Sequence, residues 1–501
     1  MRISVVLTTL AGAAAVAAPA FADGGYYGGA LGARAAGRSG AFVARADDPT
    51  AIAYNPAGLA QIGGTVVMVG NRVSYNGYSY TRAPTDDWGH LVNGSPPPVT
   101  FSQVSNSRNW QLLEPMIAVA SNLGLPNWGF ALAAYASPGA SAIDFPKPPF
   151  PEPASAEHPA GQRYMMLSRE AIFVNYTASA AWKFHDLFGV GVTLDWIAVP
   201  RLNYSLMIDG TPFAMTVNPV YSNLDMVAET KGSDWFTFNA ILGAWFRPVP
   251  FLQFGVAGQV IPANVKTKST LTVTPQDQSM GRVELERDGI PANDVNVNLP
   301  LPLSARAGAR YRHLRGGREI FDVELDAEYE TWSRVNEFAL ETHGLVANFQ
   351  GASPELGTIA IQKHWRDTLA LKLGGDVSVI PNKLALRGGA FYETGVADPA
   401  YANVDFPGGP MMGGSLGGSV VFGHWEVALA YQLRHQMTVN VDEASARVYQ
   451  QVPASACAPP YTDDTKCHPE FLGQPSPAIN AGTYNATSHY IAVALVYRSG
   501  L

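Results

Sequence analysis

Six short turns alternate with seven long polar connections along most of this chain, and no single motif constrains its fold as much. The short turns fall at Ser121–Asn127, Lys183–Leu187, Arg247–Pro250, His313–Arg318, Pro381–Lys383 and Gly423–His424. The long connections, rich in Pro, Gly, Asn and Asp, fall near 83–109, 138–162, 201–232, 263–295, 335–365, 395–412 and 440–485. Connections in that number join about fourteen antiparallel strands, with both ends of the sheet on the short-turn side. A soluble sandwich has no reason to gather its long loops at one end. A transmembrane barrel does: short turns face the periplasm and long loops face outward.

The strands carry the matching period. In Val323–Glu330, Glu324, Asp326, Glu328 and Glu330 share one face, and Val323, Leu325, Ala327 and Tyr329 share the other. Leu369, Leu371 and Leu373 alternate with Ala370, Lys372 and Gly374, and Val427, Leu429, Tyr431 and Leu433 with Ala428, Ala430, Gln432 and Arg434. Ile491, Val493, Leu495 and Tyr497 repeat the pattern. Period-2 alternation places one face in an apolar phase and the other in water. With no helical layer to cover so many strands, the apolar phase is lipid, and the four carboxylates are expected on a wetted lumen face. Aromatic clusters beside the short turns read as an interfacial girdle: Trp182, Phe184 and Phe188; Trp245, Phe246 and Phe251; Phe422 and Trp425.

Composition agrees. Charged residues are 15% of the 501, below the roughly 25% of soluble domains, while mean hydropathy is only +0.01. A lipid-facing exterior averaged with a polar lumen gives that balance. The net charge of −8 argues against nucleic acid as a partner. Arg2, the apolar run Ile3–Ala18 and the small-x-small site Ala20-Phe21-Ala22 read as a secretory signal over residues 1–22. No later segment offers roughly 18 consecutive apolar residues, so helical spans are not expected. Cys457 and Cys467 lie in one Pro- and Asp-rich stretch, where an oxidising compartment favours a disulfide pinning an external loop. His468 alone does not complete a metal site, and no metal or other cofactor is expected.

Residues 23–61 do not read as strand, and the barrel is expected over 62–501. Asp48-Pro49 is a cap and first-turn signature for a short helix over Pro49–Tyr54. Pro56 disfavours helical geometry at Asn55, whose side chain can cap a second turn over Pro56–Ala60. Two capped turns joined at a break suit a compact plug able to shift about one hinge; a helical hairpin with purely structural duties fits the local sequence as well.

Gly40-Ala41-Phe42, Asp47-Asp48-Pro49 and Asn55-Pro56-Ala57-Gly58-Leu59 resemble the N-terminal hatch of the FadL-type long-chain fatty-acid transporters, a family that includes carriers of toluene and other hydrocarbons. The resemblance continues through Leu299-Pro300-Leu301-Pro302-Leu303, Tyr329-Glu330-Thr331-Trp332-Ser333, Trp365-Arg366-Asp367-Thr368-Leu369 and Leu384–Gly389. It implies a monomeric fourteen-stranded barrel of the Gram-negative outer membrane, occluded by its hatch. It also implies a route: capture between external loops, an apolar pocket in the upper barrel, and release through a hatch movement and a side opening at the third strand, here Trp128–Ser137. Hatch and gate roles carry over to Asn55, Pro56, Ala57 and Gly58, with Phe42, Asp47 and Asp48 beside them. The expected ligand is a long-chain fatty acid or similar hydrophobic compound. Glu337 and Glu341, with no lysine until Lys363, keep a neutral hydrocarbon open. A general diffusion porin or structural barrel is the alternative, although neither needs a Gly-rich plug. Catalytic residues are not expected: the chain holds no nucleophile-elbow, zinc-protease or phosphate-loop element, and acids in register on one strand lack the distinct environments that acid–base catalysis requires.

Overall fold

The computed structural model describes residues 30–84, 100–137, 142–145, 161–208, 225–276, 279, 281–349, 351, 353, 355–449 and 478–499. The signal peptide and the proposed Cys457–Cys467 pair lie outside them.

Fourteen antiparallel strands close into a barrel. In chain order they are β1 (Thr65–Arg82), β2 (Trp110–Ser121), β3 (Trp128–Ala136), β4 (Met166–Phe184), β5 (Phe188–Ile208), β6 (Met226–Val249), β7 (Leu252–Gln259 with Asn264–Pro275), β8 (Asp294–Pro300 with Ser304–Arg315), β9 (Arg318–Glu330), β10 (Thr368–Ile380), β11 (Leu384–Glu393), β12 (Met411–Phe422), β13 (Trp425–Val441) and β14 (Gly482–Ser499). Each pairs with its neighbours in sequence, and β14 returns to β1 along its whole length, from Thr65 opposite Ser499 to Arg82 opposite Gly482. Closure leaves no free sheet edge facing hydrocarbon, the requirement for a β-structure in a bilayer.

All six expected short turns join consecutive strands. At the turn ending in Arg318, Gly316 and Gly317 take φ of 59° and 75°, the left-handed pair a two-residue hairpin demands. The long connections are shorter than the sequence suggests. The expected loop 201–232 contains the end of β5 and the start of β6, 263–295 contains the second piece of β7, and 335–365 contains the short strands Glu337–Glu341, Val346–Asn348 and Ile359–Gln362. Polar strands standing above the membrane lose the apolar half of their alternation, so composition alone reads them as loop.

Strand parity holds inside the bilayer band. Val427, Leu429, Tyr431 and Leu433 of β13 are 37–54% exposed, while Ala428, Ala430, Gln432 and Arg434 are at most 8% exposed. The girdle stands at Phe184, Phe246, Phe251, Phe422 and Trp425, all 43–54% exposed. Trp245 departs from it: the ring is buried and its Nε1 donates to Ala57 O (2.9 Å). Trp245 shares the inward parity of Asn239, Ile241 and Gly243, so period two turns it to the lumen.

The lumen is filled from both ends. Residues 30–62 pack inside the wall near the short turns. At the other end, Phe145, Tyr164, Met165, Ala402, Val404, Ala446, Val448, Ile479 and Ala481 from the loops form an apolar cluster with Met166 and Leu167 of β4, Tyr80 and Tyr484, the two tyrosine rings stacking at 4.5 Å. Sequence gave no sign of this second stopper.

Candidate functional site: a plug, an apolar pocket and a break in the wall

The plug consists of α1 (Ala33–Ala36), α2 (Ala51–Tyr54) and the 3-10 helix Pro56–Gln61. Asn55 caps that last helix as its position before proline suggests: its Oδ1 accepts from Ala57 N (3.2 Å). Its Nδ2 donates to Val43 O (2.9 Å) and to Ala244 O of β6 (3.0 Å), so one fully buried amide ties cap, plug and wall together. The first cap differs from expectation. Helix α2 begins at Ala51 with Thr50 at its N-cap, and Asp48 Oδ1 accepts from Thr50 N (2.8 Å) and Thr50 Oγ1 (2.6 Å), forming an Asx turn ahead of the helix. Phe42 packs edge-on against Tyr54 at 5.5 Å.

The four expected carboxylates of β9 face inward, but two of them, Glu324 and Asp326, are not wetted. Glu324 and Asp326 are at most 1% exposed because the plug lies on them. Asp326 Oδ2 accepts from Phe42 N (2.7 Å) and Val43 N (2.9 Å), and Glu324 Oε1 from Ala44 N (2.6 Å) and Arg45 N (3.2 Å). Glu328 pairs with both Arg306 and Lys372, and Glu330 accepts from Trp332 Nε1 (2.7 Å). Arg38, itself fully buried, reaches Asp322 (3.0 Å), Glu324 (3.0 Å) and Asp376 (2.6 Å), while Arg45 reaches Asp322 (2.8 Å). Burial alone would lift the Asp47 carboxyl, but the guanidiniums of Arg34 and Arg45 hold it below the ordinary carboxylate range. Alternation identifies the lumen face, but only the folded chain shows that the lumen is dry at this depth.

Sterics set the plug's seat. A Cβ at Gly191 would strike the Pro56–Ala57 peptide, one at Gly243 the Asn55 amide, and one at Gly58 the Ala46 carbonyl. Further inward glycines, Gly255, Gly374 and Gly389, meet the backbone of Val43–Ala44 and Arg38. Glycine recurring on the inward parity of strands was the sequence signal for a plug in contact with the wall, and it was missed.

Above the plug a polar chamber is lined by Tyr54, Arg306, Glu328, Lys372, Glu393 and Arg434. Higher still, β4, β5 and β8, with segments of the connections after β9 and β11, border an apolar pocket walled by Phe173, Leu202, Leu299, Phe338, Ile361 and Phe406. Arg169 stands at its edge, its guanidinium 4.0 Å from the Phe406 ring centre and its Nε buried without a hydrogen-bond partner. Lys363, paired with Asp405 (2.5 Å), lies 4.9 Å from the Phe338 ring, and burial pushes its ammonium down. A long wait for a lysine in sequence therefore said nothing about charge near the pocket.

Among the described residues, the ladder of the wall is interrupted beside this pocket. β2 pairs with β3 only over Met116–Ser121. Among the described residues its first part, Trp110–Pro115, has β1 on one side and no ladder on the other. A cleft there is bordered by Gln111, Leu113, Ala136, Ser137, Ala171 and Phe173.

The model of the outer-membrane transport family described as OMPP1/FadL/TodX matches residues 4–460. A FadL homologue from Pseudomonas aeruginosa is 15% identical, with a TM-score of 0.69 over 95% of this chain and 99% of that one. The toluene transporters TbuX of Ralstonia pickettii (15% identical, TM-score 0.57) and TodX of P. putida (13%, 0.59) each align over 94% of this chain and 98% of their own. A search of curated protein sequences gave no match.

Proposed function

Since the chain belongs to the FadL/TodX family of outer-membrane transport proteins, and so is a channel for hydrophobic compounds and not an enzyme, we propose that it takes up long-chain fatty acids or closely similar amphiphiles by passive transfer. The observation that carries this reading is the apolar pocket with a half-buried arginine at its rim, whose Nε is buried with no hydrogen-bond partner among the described residues. An acyl chain entering that pocket gains about 0.8 kcal/mol per buried CH₂. A carboxylate beside Arg169 would satisfy its Nε and offset the cost of the buried charge. The plug closes the straight path to the periplasm, and Asn55, Pro56, Ala57 and Gly58, with Phe42, Asp47 and Asp48, act as its hinge and latch. The cleft beside β3 supports release sideways.

Binding of labelled oleate and labelled toluene to the purified protein tests the assignment. Arg169→Met should weaken oleate binding about tenfold, the worth of one charged hydrogen bond, and leave toluene unchanged. Equal loss for both would point to a neutral hydrocarbon carrier. Steady large currents from the intact protein in planar bilayers would instead favour a general porin.

A further inference from the structure

The apolar pocket and the cleft in the wall come within one side chain of each other. Among the described residues, only Ala171 and Phe173 of β4 border both. Ala171 is small, so the Phe173 ring, 2% exposed and packed in the same cluster as Leu202, Leu299, Phe338 and Phe406, is the bulk that separates them.

Among the described residues, both ladders flanking β4 change at Phe173. Toward β3, the ladder ends with Ala136 opposite Val174; beyond it Ser137 N donates to Phe173 O (3.0 Å), and among the described residues pairing resumes where Ile143 and Asp144 meet Arg169 and Ser168. Toward β5, pairing jumps from Ile172–Arg201 to Val174–Ala198, so that Val199 and Pro200 together face Phe173, one residue more than the ladder allows. The register between β5 and β6 slips at Val199 as well. Pro200 has no N–H to give, and a bulge re-aims the side chains next to it. Elsewhere β4 is locked by continuous ladders, from Val174 to Phe184 on the β5 side.

The other way out of the pocket leads down into the chamber with Arg306, Glu328, Lys372, Glu393 and Arg434. An apolar solute there would displace water from charged groups and gain nothing in return. Passing Phe173 leads instead from one apolar surface to another.

We infer that Phe173 is the gate between the binding pocket and the bilayer: its ring closes the pocket at rest, and its displacement over Ala171 lets the solute leave through the wall. This rests on the pocket being the binding site.

The test uses the full-length protein in outer-membrane vesicles, with labelled oleate and toluene as probes, and reads uptake and equilibrium binding separately. Phe173→Ala should raise the initial uptake rate about threefold, and Ala171→Trp, which adds a ring in the passage, should lower it about tenfold, each read at the probe occupancy measured for the same variant. Heat-modifiable migration on gels reports that each variant is a closed barrel. Unchanged uptake in a folded, binding-competent Ala171→Trp protein would overturn the gate alone. Absence of probe binding by the unaltered protein would remove the pocket, and the gate with it. Should Phe173→Ala fail to fold, Phe173→Leu, which keeps an apolar side chain but shortens its reach, must show the faster uptake for the inference to stand.

Discussion

Arg38 ties the plug directly to the wall. It is fully buried and meets three carboxylates from two adjacent strands, Asp322 and Glu324 of β9 and Asp376 of β10. A buried pair is weak support for stability when set against a well-packed apolar replacement, but removal of one partner strands the others at a cost of roughly 3–5 kcal/mol. Arg38→Met should therefore loosen the plug more than the barrel: ion current in planar bilayers should rise from near silence to frequent openings while gel migration stays that of a folded barrel. Asn55 acts through geometry, since its single amide serves Ala57, Val43 and Ala244 together. Asn55→Ala and Pro56→Ala should each cut oleate uptake, with thermal stability lowered by about 1 kcal/mol, the usual worth of a cap; unchanged uptake would remove the hinge role. The sign of the pH effect follows from Asp47. Its folded-state titration is depressed, so its stabilisation is fully present above the ordinary carboxylate range and is lost as pH falls through the lower folded value. Currents at pH 5 should match those at pH 7.

At the scale of elements, the plug is held unevenly. Residues Phe42–Arg45 give four backbone N–H groups to β9 carboxylates. Helix α1 instead rests on small side chains: Gly37 approaches Gly417 and Ala430, and Ala33, Ala35 and Ala36 share a cluster with Ala428, Ala492 and Ala494. Dispersion contacts between small residues are individually weak, and buried charged hydrogen bonds are not. Hydrogen exchange should accordingly be slowest at Phe42–Arg45 and measurably faster through Ala33–Ala36, because local opening follows the poorest anchorage. Exchange in the reverse order would mean that the plug moves about a different end. The wall is uneven too: β13 and β14 pair almost throughout, whereas β3 stops short and β5 bulges.

For the whole molecule, closure of the sheet and occlusion of its lumen are separable. Fourteen strands satisfy one another without the plug, and no barrel ladder passes through residues 30–61. Deletion of 30–61 should thus leave a folded barrel, read by heat-modifiable migration on gels; an insoluble or unfolded product would show that the plug is part of the folding core.

Much of this was legible in residue order. Turn spacing and the alternation in stretches such as Val427–Arg434 dictate a lipid-facing closed sheet, because period two and the demand for satisfied backbone groups are local consequences of chain chemistry. Asn55-Pro56 likewise announced its own cap. What residue order could not supply was what stands opposite each inward side chain. Whether Glu324 meets water or the Arg45 amide, whether Trp245 faces lipid or Ala57, and whether Phe173 lies between a pocket and a cleft all depend on contacts between segments far apart in the chain. Alternation assigns a face; only the closed barrel, by bringing its own first residues inside, decides whether that face is wet, bonded or gated.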